Sequence, residues 1–363
     1  MLYETRGPLT RAILSCARRA DATEYETVEA ASGSEEALGV SKAERPTDET
    51  PSPRPRGAAV SGHTARLMAI VAVNVALALA VFIYGSMKGG QLPSLNAQTL
   101  ALGVMPVSAA MGLMLACRRI DFSLPMILAF ALAFQTKRYI VVGEPFMPLL
   151  ATCLIAAALS LTSALLTWHG RISSALWTGI LAFSLWLLLT VMEIPNAGPG
   201  PWPWPWALLL VLAVIGGGSA LLGATGLVSL PNMPPIVRTS LRGLPGLVGA
   251  WVLASVTCAL ASLSKAAHLS AEDIQAAYPQ VLSAAVLGGG FILRGKWGAP
   301  TAVGLACLGH LVWAFAYETR LAGATADILV PAGAPLVAVP LYLGIDWLIR
   351  RSTGESAPTG LLG

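Results

Sequence analysis

From Leu67 onward the chain is a series of long apolar runs separated by short polar or glycine- and proline-rich breaks. A bilayer core about 30 Å thick takes roughly 20 helical residues to cross. Measured against that length, the pattern predicts about ten spans: Leu67–Ser86, Leu100–Ala116, Phe122–Val142, Pro145–Thr167, Ile172–Met192, Trp206–Leu227, Leu244–Leu263, Tyr278–Leu293, Ala299–Ala316 and Ile328–Ile349. The expected fold class is therefore all-α: a polytopic membrane helix bundle over residues 65–351. Before it, Asp21–Gly62 is rich in Glu, Ser, Thr and Pro. Such a stretch buries too little apolar area to offset its ordering entropy, so residues 1–64 are expected to be a disordered cytoplasmic segment. Residues 352–363 form a short tail.

One stretch breaks the rhythm. Val281–Gly309 reads "VLSAAVLGGGFILRGKWGAPTAVGLACLG". Gly288, Gly289 and Gly290 fall inside a run that should be helical, where each glycine costs roughly 1 kcal/mol relative to alanine. On the next run Gly298, Ala302, Ala306 and His310 recur every fourth position. Small residues at that spacing let helix backbones approach closely. A glycine triplet at membrane depth also permits unwinding, which is tolerated where the backbone is buried in protein or lines a cavity. Two readings stay open here, a translocation path and a tight packing site.

Composition supports the membrane reading. Of 363 residues, 55% are hydrophobic and 12% charged, against about 25% charged in soluble domains. The net charge of +4 is small, and no basic stripe with interleaved aromatics points to nucleic acid. The five cysteines are scattered, with no metal-ligand spacing and no disulfide framework. No phosphate-binding glycine loop and no catalytic constellation is present, so neither an enzyme nor a bound cofactor is expected.

Loop charge sets orientation. With the N-terminus inside, one face collects Arg66, Arg118, Arg119, Arg171, Arg238, Arg242, Arg294, Lys296, Arg350 and Arg351. The other collects Lys88, Lys137, Arg138, Lys265 and Arg320. Both termini are thus expected in the cytoplasm, as in a multi-pass protein of the cytoplasmic (inner) membrane. "PGPWPWPW", Pro199–Trp206, falls in an outer loop and reads as an interfacial anchor. Asp121 lies at an inner boundary, either as a helix-terminal or path-lining carboxylate, or as a helix cap aided by Ser123 or a salt-bridge partner of Arg118 or Arg119. His310 and Asn74 lie deep in spans, where polar groups are usually paired across helices. Asp346 is placed to pair with Arg350.

Three elements together resemble the permease subunits of ABC importers of the ribose-type sugar and branched-chain amino acid class. They are Ala284-Ala285-Val286-Leu287-Gly288-Gly289 followed by Arg294-Gly295-Lys296-Trp297-Gly298, then Arg119-Ile120-Asp121-Phe122-Ser123, and the basic inner loop running into "LPGLVGAWVLASVTCALASL". Arg119 and Pro125 stand where that family carries glycines. The resemblance implies a passive gated pathway for a small solute, a monosaccharide first, past Asp121, Ser123, Gly288, Gly289, Gly290 and His310. It implies an ABC ATPase subunit, which binds the ATP, docked on the inner loop Leu230–Gly243 through Arg238, Thr239 and Arg242. It also implies a soluble substrate-binding protein outside and a homodimer or heterodimer of permease subunits. The alternative is a permease-like scaffold or regulatory subunit without transport.

Overall fold

The computed structural model describes residues 57–87, 95–142, 146–169, 172–191, 204–225, 244–263, 274, 277–293, 297–318 and 326–353. These belong to the unit Pro55–Gly363. Every regular element with defined bounds is a helix: α1 Gly57–Met87, α2 Leu95–Ala116, α3 Leu124–Val142, α4 Phe146–His169, α5 Ser174–Val191, α6 Trp204–Ala224, α7 Leu244–Ala261, α8 Tyr278–Leu287, α9 Gly298–Glu318 and α10 Ala326–Thr353. Each expected run contains one helix. α1 begins at Gly57, inside the segment expected to be disordered. α8 stops at Leu287, short of the expected Leu293.

Among the described residues six helices are long and apolar enough to cross a membrane: α1, α4, α5, α6, α7 and α10. The described apolar parts of α2, α3, α8 and α9 are shorter. The surface fits lipid rather than water. Leu79 and Phe82 on α1, Leu154 and Leu161 on α4, Phe183 and Leu187 on α5, and Leu336 and Leu341 on α10 are all exposed. A soluble protein rarely presents so much contiguous apolar surface. Gly103–Ala116 of α2 and the first part of α3 are instead packed almost completely, with Val104, Met111, Leu113, Met114, Leu124 and Leu128 in the larger core cluster.

Hydroxyls on α4 are satisfied within their own helix. Thr152, Ser160, Ser163 and Thr167 on α4 each donate to a carbonyl one turn back on the same helix. That disposition suits a helix with no water beside it.

The packing repeats itself. α2 lies on α9 as α7 lies on α4, and α2 on α8 as α7 on α3. α3 touches α4 and α5 as α8 touches α9 and α10. α2 and α7 also touch each other. Each helix of α7–α10 begins about 150 residues after its counterpart in α2–α5, a spacing typical of an internal structural repeat. α1 packs on α9 and α10, whereas α6 packs on α2, α7 and α9, so these two stand outside the repeat. Two pairs depart in length: α3 has 19 residues and α8 has 10, while α5 has 18 and α10 has 28.

Candidate functional site

The first interruption in the bundle is the turn between α2 and α3. α2 closes with Arg118 in the left-handed region at φ 57°. Arg119 N donates to Met114 O and Arg118 N to Leu115 O, a Schellman cap with arginine where glycine is usual. The chain then folds back into the protein. Asp121 is 1% exposed. Its Oδ1 accepts from Ser123 N at 2.8 Å and from Ser123 Oγ at 2.5 Å. Its Oδ2 accepts from the Trp251 indole of α7.

Phe122 N donates to Thr178 Oγ1 of α5 at 3.0 Å, and Tyr278 of α8 donates its hydroxyl to Phe122 O at 2.8 Å. Trp251 is the eighth residue of α7, about 10 Å along it at 1.5 Å per residue. The turn is therefore recessed past the first two turns of α7. Asp121 and Ser123 form the N-terminal brace of α3, and Trp251 and Tyr278 fasten that brace to the other half of the repeat.

The second interruption follows α8. Gly288 N reaches Ala284 O and Gly289 N reaches Val286 O, each at 2.9 Å, and Gly289 turns the chain at φ +64°. Three glycines are needed because three walls close in. A Cβ on Gly288 would lie 3.1 Å from Ala306 N of α9. On Gly289 it would lie 2.5 Å from Ile70 Cδ1 of α1. On Gly290 it would lie 3.0 Å from Gly112 O and 3.1 Å from Ala116 N of α2.

α2 and α9 are themselves in close contact, since a Cβ on Gly112 would meet Ala306 Cβ at 2.8 Å and Ala302 O at 3.0 Å. The recurrent small positions on α9 thus receive both α2 and the broken end of α8. One turn above, His310 Nδ1 and Ser108 Oγ share a buried hydrogen bond at 2.8 Å across α9 and α2.

Ending α8 early leaves the Leu287 carbonyl without its helical donor. Asn74 Nδ2 of α1 donates to it at 2.7 Å and the Tyr342 hydroxyl of α10 at 2.8 Å. Two turns along the same α1–α10 seam, Arg66 Nε donates to Asp346 Oδ1 at 2.7 Å, with both side chains 2% exposed. Arg350 pairs with the other oxygen of Asp346.

The two interruptions meet. Gly290 abuts Ala116 N, the last helical residue before the cap that leads to Asp121. Gly288, Gly289, Gly290 and His310 thus share one junction, with Asp121 and Ser123 a few residues down the chain from it. Arg238, Thr239 and Arg242 lie outside the described residues, as do the N-terminal segment through Arg56 and the loop through Pro203. Trp251, Tyr278, Ser108 and Gly112 were not singled out from sequence. Their partners sit 130 to 202 positions away, and an apolar run gives no sign of which of its faces will meet which helix. Among the described residues no group of three His, Cys, Asp or Glu could hold a metal ion.

No family model, no curated protein and no solved structure matches this chain.

Proposed function

We propose that this chain is a transmembrane permease subunit, a passive gated pathway of ten spans in the cytoplasmic membrane with both termini inside. The observation that carries the reading is the short, glycine-broken α8 wedged between α1, α2 and α9 within a repeated bundle. Discontinuous helices at a repeat interface are where transporters place their path. A tight packing site alone needs no carbonyl left at the middle of the bundle for two other helices to cap.

With counterparts five helices apart in the chain, the two repeated units run in opposite directions across the bilayer, and the path lies near the broken end of α8. Following the ABC importer resemblance, a partner ATPase engages the Leu230–Gly243 segment through Arg238, Thr239 and Arg242, and a soluble binding protein delivers a small solute, a monosaccharide first, from outside.

The test is purification of the tagged chain from its native membrane in mild detergent. Co-purification of an ATP-hydrolysing subunit is expected. Arg238→Glu with Arg242→Glu should keep the chain in the membrane and lose that subunit. A chain that purifies without ATPase activity under several mild detergents overturns the driven-permease reading in favour of a scaffold.

A further inference from the structure

Asn74 Oδ1 of α1, Ser283 Oγ of α8 and Trp313 Nε1 of α9 are buried polar atoms without a hydrogen-bond partner on the helices around the α8 break, and His63 Nδ1 of α1 and Ser255 Oγ of α7 are others farther along the bundle. Ser283 is 2% exposed and Trp313 is 6% exposed. Native interiors leave few such groups, and each calls for an explanation. The placement of the first three is coherent. Asn74 Nδ2 lies within hydrogen-bond distance of Leu287 O, Tyr342 Oη and Ile70 O of its own helix. Its oxygen faces the notch at Gly309, where an added Cβ would lie 3.9 Å from Asn74 Oδ1 and 3.6 Å from Ala284 O.

Trp313 is one turn beyond Gly309 on the same face of α9, and it packs in the cluster with Ile70, Leu287 and Tyr342. Ser283 is one turn before Leu287 on the same face of α8. Val281 and Ala285 look the other way, into the larger core cluster.

We propose that the α1–α8–α9 junction at Asn74, Ser283 and Trp313 is a binding site for an uncharged solute that both donates and accepts hydrogen bonds, drawn here in its closed state. The inference rests on the permease reading, which supplies the opening motion. The chemistry selects the ligand class. Asn74 Oδ1 can only accept, the indole N–H can only donate, and the Ser283 hydroxyl does both. None carries charge, so the junction offers an ion nothing to offset its desolvation. The break at Gly288–Gly290 gives α8 freedom to swing away from α1 and α9. Opening hydrates all three groups, and a solute replaces that water without leaving any of them unpaired.

The experiment uses the full chain in its native membrane, with its five native cysteines replaced. Ser283→Cys is nearly isosteric and should fold. It should react with N-ethylmaleimide about tenfold faster than Ala285→Cys on the opposite face, because alkylation follows access to the thiol. Glycerol, erythritol and acetamide at high concentration should slow that reaction, while sodium acetate and ammonium chloride should not. Trp313→Phe, which keeps an aromatic ring and deletes the donor, should abolish the protection.

Equal, slow reaction at both positions would overturn the proposal, as would protection by the ions or protection that survives Trp313→Phe. A negative result here with an ATPase still co-purifying moves the path elsewhere in the permease. The absence of an ATPase with a reactive, protectable Ser283→Cys overturns the driven-permease reading and leaves the site standing.

Discussion

Asp346 holds two cations on one carboxylate, Arg66 from α1 and Arg350 from its own helix. Removing one partner of a buried pair leaves an uncompensated charge, and that typically costs about 3–5 kcal/mol. Asp346→Ala should therefore lower the thermal midpoint in detergent sharply. Arg66→Met together with Asp346→Leu should restore most of the loss, because Arg350 sits partly exposed and can reach toward the interface. A double variant as unstable as the single one would show that the ion pair itself, rather than an orphaned charge, holds the seam.

Glycine offers a second contrast at this scale. Gly304 has nothing within 4 Å of an added Cβ, so Gly304→Ala should be neutral or stabilise α9 by up to about 1 kcal/mol. Gly290→Ala meets backbone on α2 and should destabilise by about 1–3 kcal/mol. Unfolding curves of the two purified variants separate these outcomes. The need for glycine was legible in the triplet itself. That each glycine faces a different helix was not, because the neighbours lie far away in sequence.

At the scale of the element, α8 explains both what the sequence reveals and what it hides. Pro279 in the first turn of α8 and the glycines after Leu287 mark its two ends. An apolar run of suitable length still invites one span to Leu293, since hydropathy counts Phe291, Ile292 and Leu293 whether or not they are helical. The cap on the Leu287 carbonyl was hidden as well. Asn74 was readable only as a polar residue needing a partner, and nothing in the chain ties it to position 287 or to Tyr342.

The cap makes α8 a two-point suspension. Tyr342→Phe leaves the Asn74 donor in place and should cost about 1 kcal/mol, as for one ordinary hydrogen bond. Asn74→Leu with Tyr342→Phe leaves the carbonyl buried and unpaired, which should cost more than the two single changes together. Hydrogen exchange should report the difference first at the Gly288 and Gly289 amides. Additive single effects, with exchange at those amides unchanged, would mean that the break is held by side-chain packing alone.

For the whole molecule, the two hairpins α2–α3 and α8–α9 set the number of crossings. α1 and α10 run antiparallel, since Arg66 pairs with Asp346 and Asn74 with Tyr342. α2 and α9 do so too, since Gly112 meets Ala302 and Ala306 while Ser108 meets His310. Gly289 abuts Ile70, one turn from Arg66, so the α8–α9 turn lies toward the Arg66 end of the bundle. Gly290 places the end of α2 there as well. Two topologies share this arrangement. In one, all ten helices cross. In the other, the six long helices cross while α2–α3 and α8–α9 dip in from the far side and turn back inside the bilayer.

The recessed Asp121 turn by itself suits either. We infer the first topology from charge: Arg118 and Arg119 sit in the first turn, Arg294 and Lys296 follow Leu293 in the sequence, and burying such charges in hydrocarbon is costly. Trp297, next to Lys296, is 59% exposed, as expected for a residue at a membrane boundary. A lone cysteine in place of Lys296 should therefore react with a membrane-impermeant maleimide in inside-out vesicles and stay unreactive in right-side-out vesicles. Reaction from neither face would place the turn within the bilayer, reduce the crossings to six, and remove the inner basic face on which the ten-span orientation depends.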